Sequence, residues 1–235
     1  MITRLLYDTL DNSILEYDRL ASIGSASDRW IVRAKSQTAG VGRNENIWHS
    51  PRGGLWLSFD FHYPRAVPSF PLYVGYCLHN VLSRSFGLDK LNVKWPNDLY
   101  LEDKKLAGIL CQHRQNPSRY LVSLGLNSNC EMDDVLLELN AANLSSYIRM
   151  PVSNNCLASL VVQSIRNHSA MLATPEVYLD YCGKHLYGLG REAELESGGS
   201  MLRGRISGLS DEGFLLLRDN EGRIETITHG SLRII

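Results

Sequence analysis

Two stretches of this 235-residue chain carry the residue types needed to handle an anionic, phosphorylated substrate. The first is QTAGVGRNENIW, from Gln37 to Trp48. There Gly40 and Gly42 let backbone approach a ligand closely, and Arg43 offers a planar, permanently charged fork for phosphate or carboxylate. Its spacing is neither the dinucleotide fingerprint nor the P-loop pattern, so a nucleotide bound here would be held in another way. The second is VKWPNDLYLEDKKLAGIL, from Val93 to Leu110, which gathers Lys94, Asn97, Asp98 and Lys105 around Trp95-Pro96 and runs into the small residues Ala107 and Gly108. A flat ligand could lie along such a strand; the plain alternative is a hairpin with a Pro-Asn-Asp turn and surface lysines.

These stretches need elements to position them. Residues 5–20 begin as a strand and become helical, with Asn12 or Ser13 as the cap and Ile14, Leu15 and Leu20 facing the core. WIVRAKS at 30–36 reads as a strand and GGLWLSFDFHY at 53–63 as another with partial alternation, so the glycine-containing loop joins two strands. Residues 69–86 suit a buried helix, with Pro71 in its first turn and Gly87 at its C-terminal end. Strand, turn, strand, turn, strand is expected from Asn92 through Arg114, then a strand over 119–130 and helical stretches near 155–173 and 175–185. Past Gly188 come EAELES, MLRGRISGLS, GFLLLRD and RIETITHG, divided by Gly198-Gly199, Gly213 and Gly222, a spacing that predicts a small barrel or sheet. The expected fold class is α+β, a mixed β-sheet flanked by helices over 1–187 followed by a small β domain over 188–235.

Composition excludes several functions. The 24 basic and 25 acidic residues nearly cancel, so no overall field draws the chain to nucleic acid or to an anionic membrane. No apolar run approaches a membrane span, and the start, MITRLLYDTLDNS, reaches polar residues too soon for a signal peptide, so a cytoplasmic location is expected. Cys77, Cys111, Cys130, Cys156 and Cys182 are far apart and odd in number, and the histidines are scattered, so neither a disulfide framework nor a histidine-built metal centre is expected.

Taken together, Gln37-Thr38-Ala39-Gly40-Val41-Gly42-Arg43, Trp48 with Ser50-Pro51-Arg52-Gly53-Gly54, Lys94-Trp95-Pro96-Asn97-Asp98, Lys105 to Leu110, and Ser123-Leu124-Gly125-Leu126-Asn127-Ser128-Asn129 resemble, in order, the motifs of the biotin protein ligases. The C-terminal stretch is similar to that family's small SH3-like β-barrel. The resemblance implies a monofunctional ligase that uses ATP, with Mg2+, to activate biotin as biotinyl-5'-AMP. The biotin then passes to a lysine of the biotin carboxyl carrier protein of acetyl-CoA carboxylase or a related carboxylase.

Carried over by motif, the resemblance makes Lys105 and Arg43 the catalytic cations. It assigns Asn12, Ser13, Gln37, Gly40, Val41, Arg43, Lys105 and Gly108 to biotin, and Arg43, Trp48, Lys94, Asn97, Asp98, Lys105 and Asn127 to ATP. Asp98 would assist a magnesium ion held mainly by phosphate oxygens and water. The loop departs from the family pattern at Val41, Glu45 and Asn46, which leaves it less cationic, and the Asp-Ser-Thr-Asn signature is reduced to Asp11-Asn12-Ser13-Ile14. The alternatives are a lipoate or octanoate ligase or transferase of the same superfamily, for which Cys111 would be the candidate nucleophile, and a biotin-binding homologue with impaired turnover. Because the motifs begin within the first fifteen residues, a preceding DNA-binding module and DNA binding are not expected, whereas a homodimer is compatible with the family.

Overall fold

A computed structural model describes residues 2–24, 29–115, 118–197 and 199–235. In chain order the elements begin β1 (Ile2–Leu10), α1 (Ser13–Ile23), β2 (Arg29–Gln37), β3 (Leu55–Phe61), α2 (Phe70–Phe86), β4 (Leu91–Lys94), β5 (Asp98–Leu101), β6 (Lys104–Gln115) and β7 (Ser118–Leu126). There follow α3 (Asp134–Glu138), α4 (Leu144–Ile148), α5 (Asn154–Asn167), a 3-10 turn over Ser169–Ala173 and α6 (Glu176–Lys184). The chain ends with β8 (Glu192–Ser197), β9 (Ser200–Leu209), β10 (Leu215–Arg218), β11 (Ile224–Ile227) and β12 (Ser231–Ile234). Among the described residues no helix is long and apolar enough to cross a membrane.

The chain divides into two compact units, Met1–Ala66 with Asp103–Arg166, and Val67–Glu102 with Asn167–Ile235. In the first, the strands run β1-β2-β3-β7-β6, parallel between β1 and β2 and antiparallel elsewhere, so this is the mixed sheet expected. Helix α1 covers one face. Its Tyr17 is fully buried against Val32 and Leu121, with Ile14 and Leu20 packed beside them, whereas Leu15, expected to face the core, is 46% exposed. The 3.6-residue period accounts for this: positions 14, 17, 20 and 21 share one stripe and 15 lies off it. Strand β3 does not alternate. Six of its seven residues are buried, as in a central strand whose two faces are both covered.

In the second unit, β4 and β5 form an antiparallel hairpin around a cis Trp95-Pro96 bond, and α2 runs from Ser69 to a left-handed Gly87 at φ 63°. The last five strands form an antiparallel sheet in the order β11-β10-β9-β8-β12. This is the small β domain expected, and among the described residues it is not closed into a barrel, β11 and β12 lying at its edges. Both edge strands are four residues long and carry exposed charges, Glu225 and Arg233, which blunt them. Of the dividing glycines, Gly198 lies outside the described residues. Helices α3 and α4 and strand β12 were not expected from the sequence. The two helices are short, and side chains cap them: Asp133 accepts from Leu136 N and Asn143 from Ser145 N.

Candidate active site

In the first unit, four of the residues assigned to biotin, Asn12, Ser13, Gln37 and Gly40, gather at the start of α1. Asn12 is its N-cap, accepting from Leu15 N at 2.9 Å, and its amide nitrogen donates to the Ala39 carbonyl at 3.1 Å. Its carboxamide thus joins the helix cap to the glycine-containing loop. Gln37, the last residue of β2, accepts from Ser13 N at 2.8 Å and donates to Ser50 Oγ at 2.8 Å, which fixes which end of its amide is oxygen. Ser13 Oγ is 2.7 Å from Ser58 Oγ, and Ser58 Oγ is 2.8 Å from Ser123 Oγ, a run of hydroxyls across the sheet.

The loop is itself built. Trp48 N donates to Gly40 O at 2.8 Å, Gly42 N donates to Asn46 O at 2.8 Å, and Val41 bridges Ile47. A Cβ at Gly40 would lie 2.3 Å from the Trp48 carbonyl oxygen, so only glycine fits, whereas one at Gly42 would meet nothing nearer than 3.5 Å. Arg43 opens a tight turn whose next residues, Asn44 and Glu45, sit at φ 52° and 59°. Val41 is 40% exposed and Ile47 88%.

Trp48 and Lys105 come together. The Lys105 ammonium lies 4.9 Å from the centroid of the indole, within cation–π range. The indole also rests on Gly125 of β7, where a Cβ would be 2.5 Å from Trp48 Nε1. Gly125 pairs with Gly108 of β6, so two bare positions stand side by side on adjacent strands, the first of them beneath the ring. The indole N–H is buried and meets no acceptor among the described residues, so packing and the Lys105 ammonium orient the ring. Lys105 is held through its backbone: its N–H donates to Asn140 O at 3.1 Å and its carbonyl accepts from Ala142 N at 2.8 Å. The segment after α3 therefore fixes this lysine, a link that sequence spacing does not reveal.

Asn127 N donates to Leu106 O at 3.0 Å, and its side chain is buried beneath the Cys130 thiol. The neighbouring Asn129 accepts from Val152 N at 2.7 Å, and Asn154 donates to the carbonyls of Gly53 and Gly54 at 2.9 and 3.1 Å. These contacts clamp the Ser50–Gly54 turn, where Gly53 stands at φ 107° with room for no Cβ. His49 pairs with Asp133 at 2.7 Å, an anchor for the end of the loop that was not foreseen, and the two contacts Asp133 makes, first to Leu136 N and then to His49, hold its carboxyl below the usual range.

Lys94, Asn97 and Asp98 belong to the second unit, on the β4–β5 hairpin. Lys94 donates to Tyr100 Oη at 3.0 Å and its ammonium lies 4.5 Å over the Tyr100 ring. Burial lowers its pKa, offset in part by the Asp98 carboxylate, its cross-strand partner. Trp95 between them is buried and donates from Nε1 to Gly213 O at 3.1 Å. Among the described residues no group of three His, Cys, Asp or Glu could hold a metal ion.

Residues 13–129 match the Biotin/lipoate A/B protein ligase family, and residues 188–231 match the Biotin protein ligase C terminal domain. The Bifunctional ligase/repressor BirA of Escherichia coli is 29% identical over 224 residues, covering 92% of this chain and 69% of that protein. The Bacillus subtilis protein of the same name is 25% identical over 236 residues, covering 93% and 70%. A solved structure described as biotin protein ligase from Aquifex aeolicus in complex with biotin and ATP shares the fold at a TM-score of 0.86, with 24% identity and 99% of each chain covered. With the motifs in order and both domains matched, the chain belongs to the biotin protein ligase family.

Proposed function

We propose that this chain attaches biotin to a lysine of a biotin carboxyl carrier protein, in two steps and at the expense of ATP. In the first, a biotin carboxylate oxygen attacks the α-phosphorus of ATP, biotinyl-5'-AMP forms and diphosphate leaves. In the second, the carrier's lysine amine attacks the acyl carbon, AMP leaves and the amine gives up a proton. The observation that carries this reading is the Lys105 ammonium poised over the Trp48 indole beside the facing glycines 108 and 125. A flat ring and a fixed cation on a floor without side chains suit a nucleotide base and the anion attached to it.

In this reading Lys105 and Arg43 stabilise charge at the phosphoryl group, and their fixed placement favours the transition state over the bound reactants. Gln37, Asn12, Ser13, Gly40, Val41 and Gly108 form the biotin subsite. Within it the Asn12 carboxamide caps α1 and holds the Ala39 carbonyl, so it also fixes the glycine-containing loop to the subsite. Trp48 and Asn127 serve the nucleotide, and the roles of Lys94, Asn97 and Asp98 toward ATP rest on the motif. The carboxylate of Asp98 is a hard oxygen donor of the kind magnesium takes, and an ion held otherwise by phosphate and water would neutralise charge on the departing diphosphate. The catalytic domain is taken as 1–187 and the β domain as 188–235, a division supported by the C-terminal match at 188–231.

Octanoyl transfer through Cys111 fits less well, because burial pushes its thiol up and leaves little thiolate near neutral pH. The deciding experiment is transfer of labelled biotin to a carboxylase carrier domain with ATP, run beside lipoate and octanoate. Label on the carrier lysine with biotin alone is the expected result; preferential use of lipoate or octanoate overturns the reading.

A further inference from the structure

A groove in the first unit lies between the β1–β2 pair and the first turns of α5. It holds about 330 Å³, at the lower end of small-molecule sites, and Arg4, Leu6, Ile31, Arg33, Asn155 and Ala158 contribute to its lining. None of these residues takes part in the proposed ligase chemistry. In the parallel register Arg4 stands beside Ile31 and Leu6 beside Arg33, so the two arginines flank an apolar patch.

The electrostatics of Arg33 set this groove apart. Its Nη1 donates to the neutral Asn155 Oδ1 at 2.7 Å, and its Nε is buried with no acceptor among the described residues. Burial holds the guanidinium below its ordinary range, and no carboxylate offsets that loss of hydration. By contrast Arg19, Arg52 and Arg114 each meet an aspartate. Arg4 makes no ion pair among the described residues, and Asp8, farther along the same face of β1, is already shared by Lys35 and Arg52 at 2.9 and 2.8 Å. A half-buried cation with no counter-charge among the described residues is less favourable than a paired one, and an anion of matching geometry removes the deficit.

We propose that this groove binds a carboxylic acid with a short apolar body, its carboxylate gripped by Arg33 and Arg4 and its hydrocarbon lying on Leu6, Ile31 and Ala158. The apolar lining selects against a bare inorganic anion, and the guanidinium selects against an uncharged chain. The site is separate from the ligase chemistry and does not depend on it.

Calorimetric titration of the full chain with hexanoate, hexanol and inorganic phosphate tests this. Saturable one-to-one binding of hexanoate is expected, with hexanol and phosphate each at least about tenfold weaker, the scale of one charge-assisted contact or a buried alkyl segment. Arg33→Met should weaken hexanoate by a similar factor while biotin transfer continues at its usual rate. Ser159→Phe, which fills the groove and leaves Arg33 in place, serves if Arg33→Met does not fold. Lys105→Ala should bind hexanoate unchanged, which separates this groove from the ligase site. Equal affinity for hexanol or for phosphate, absence of hexanoate binding, or hexanoate affinity kept in both groove variants overturns the proposal.

Discussion

Each unit holds a lysine against an aromatic ring, and the surroundings differ in an instructive way. In the first, the Trp48 indole rests on Gly125 with Lys105 above it, and its N–H finds no acceptor among the described residues. In the second, aromatic groups satisfy one another. Lys94 bonds the Tyr100 hydroxyl, Tyr100 packs on Tyr187 at 4.7 Å, and His79, Tyr181 and His185 stack with centroids 4.2–5.4 Å apart. His79 is 2% exposed and both its nitrogens are engaged, Nε2 with Leu91 O at 2.8 Å and Nδ1 with Tyr181 Oη at 2.9 Å. A half-buried ring seated on bare glycine beside a cation is a place for a ligand, whereas an aromatic cluster closed on itself is a source of stability. Substitutions in the first region should therefore remove activity and spare the fold, and perturbation of the His79–Tyr181–His185 cluster in the second should do the reverse.

The largest effect expected is on Lys105. Lys105→Ala should lower adenylate formation, followed as biotin-dependent exchange of diphosphate into ATP, by roughly 10²–10³-fold, as when a preorganised anion-stabilising group is removed. Its melting temperature should stay near that of the parent. A large drop in melting temperature, or near-normal exchange, would break the contrast between the two regions.

Next comes acid sensitivity of the second unit. Burial lowers the His79 pKa from 6.5 to about 4, so the folded state prefers the neutral ring while the unfolded chain takes up a proton below 6.5. Stability from this group is complete above pH 6.5 and is lost as pH falls toward 4, by about 3 kcal/mol in total. Denaturant unfolding between pH 7 and 4 should show that slope, and His79→Gln should flatten it. Paired surface carboxylates such as Asp8, held down to about 2 from 3.8 by Arg52 and Lys35, act at lower pH and do not mask it.

The smallest effect concerns the floor of the ledge. Gly125→Ala must push the Trp48 ring aside, because its Cβ would lie 2.5 Å from the indole nitrogen. Displacement of a positioning ring should reduce kcat/KM for ATP by about tenfold or more with little change in stability. Unchanged kinetics would mean that Trp48 has no part in holding the nucleotide.

Much of this was legible in the sequence because local physics dictated it. Asn12 before an apolar stripe, Pro71 inside a first turn and Gly87 after a last one each mark a helix end by their own chemistry, and the glycine, KWPND and KLAGIL motifs named the family. What could not be read depends on partners far along the chain. Gly125 is needed because Trp48 lies on it, His49 finds Asp133 across 84 positions, and Lys105 is anchored by Asn140 and Ala142. Helices α3 and α4 are too short to display a period, and their caps alone do not outweigh the surrounding irregular chain. Arg33 reads as an ordinary solvent-facing strand residue until α5 folds over it.

The serine run from residue 13 through 58 to 123 has one more consequence. A hydroxyl can give its proton or lend a lone pair, so a relay of this kind can reverse polarity as one unit, every proton swinging from one neighbour to the other. At the α1 end, Ser13 can therefore face its surroundings as either giver or taker without moving a heavy atom, the adaptability that a cyclic urea, with carbonyl and N–H on one small ring, would exploit.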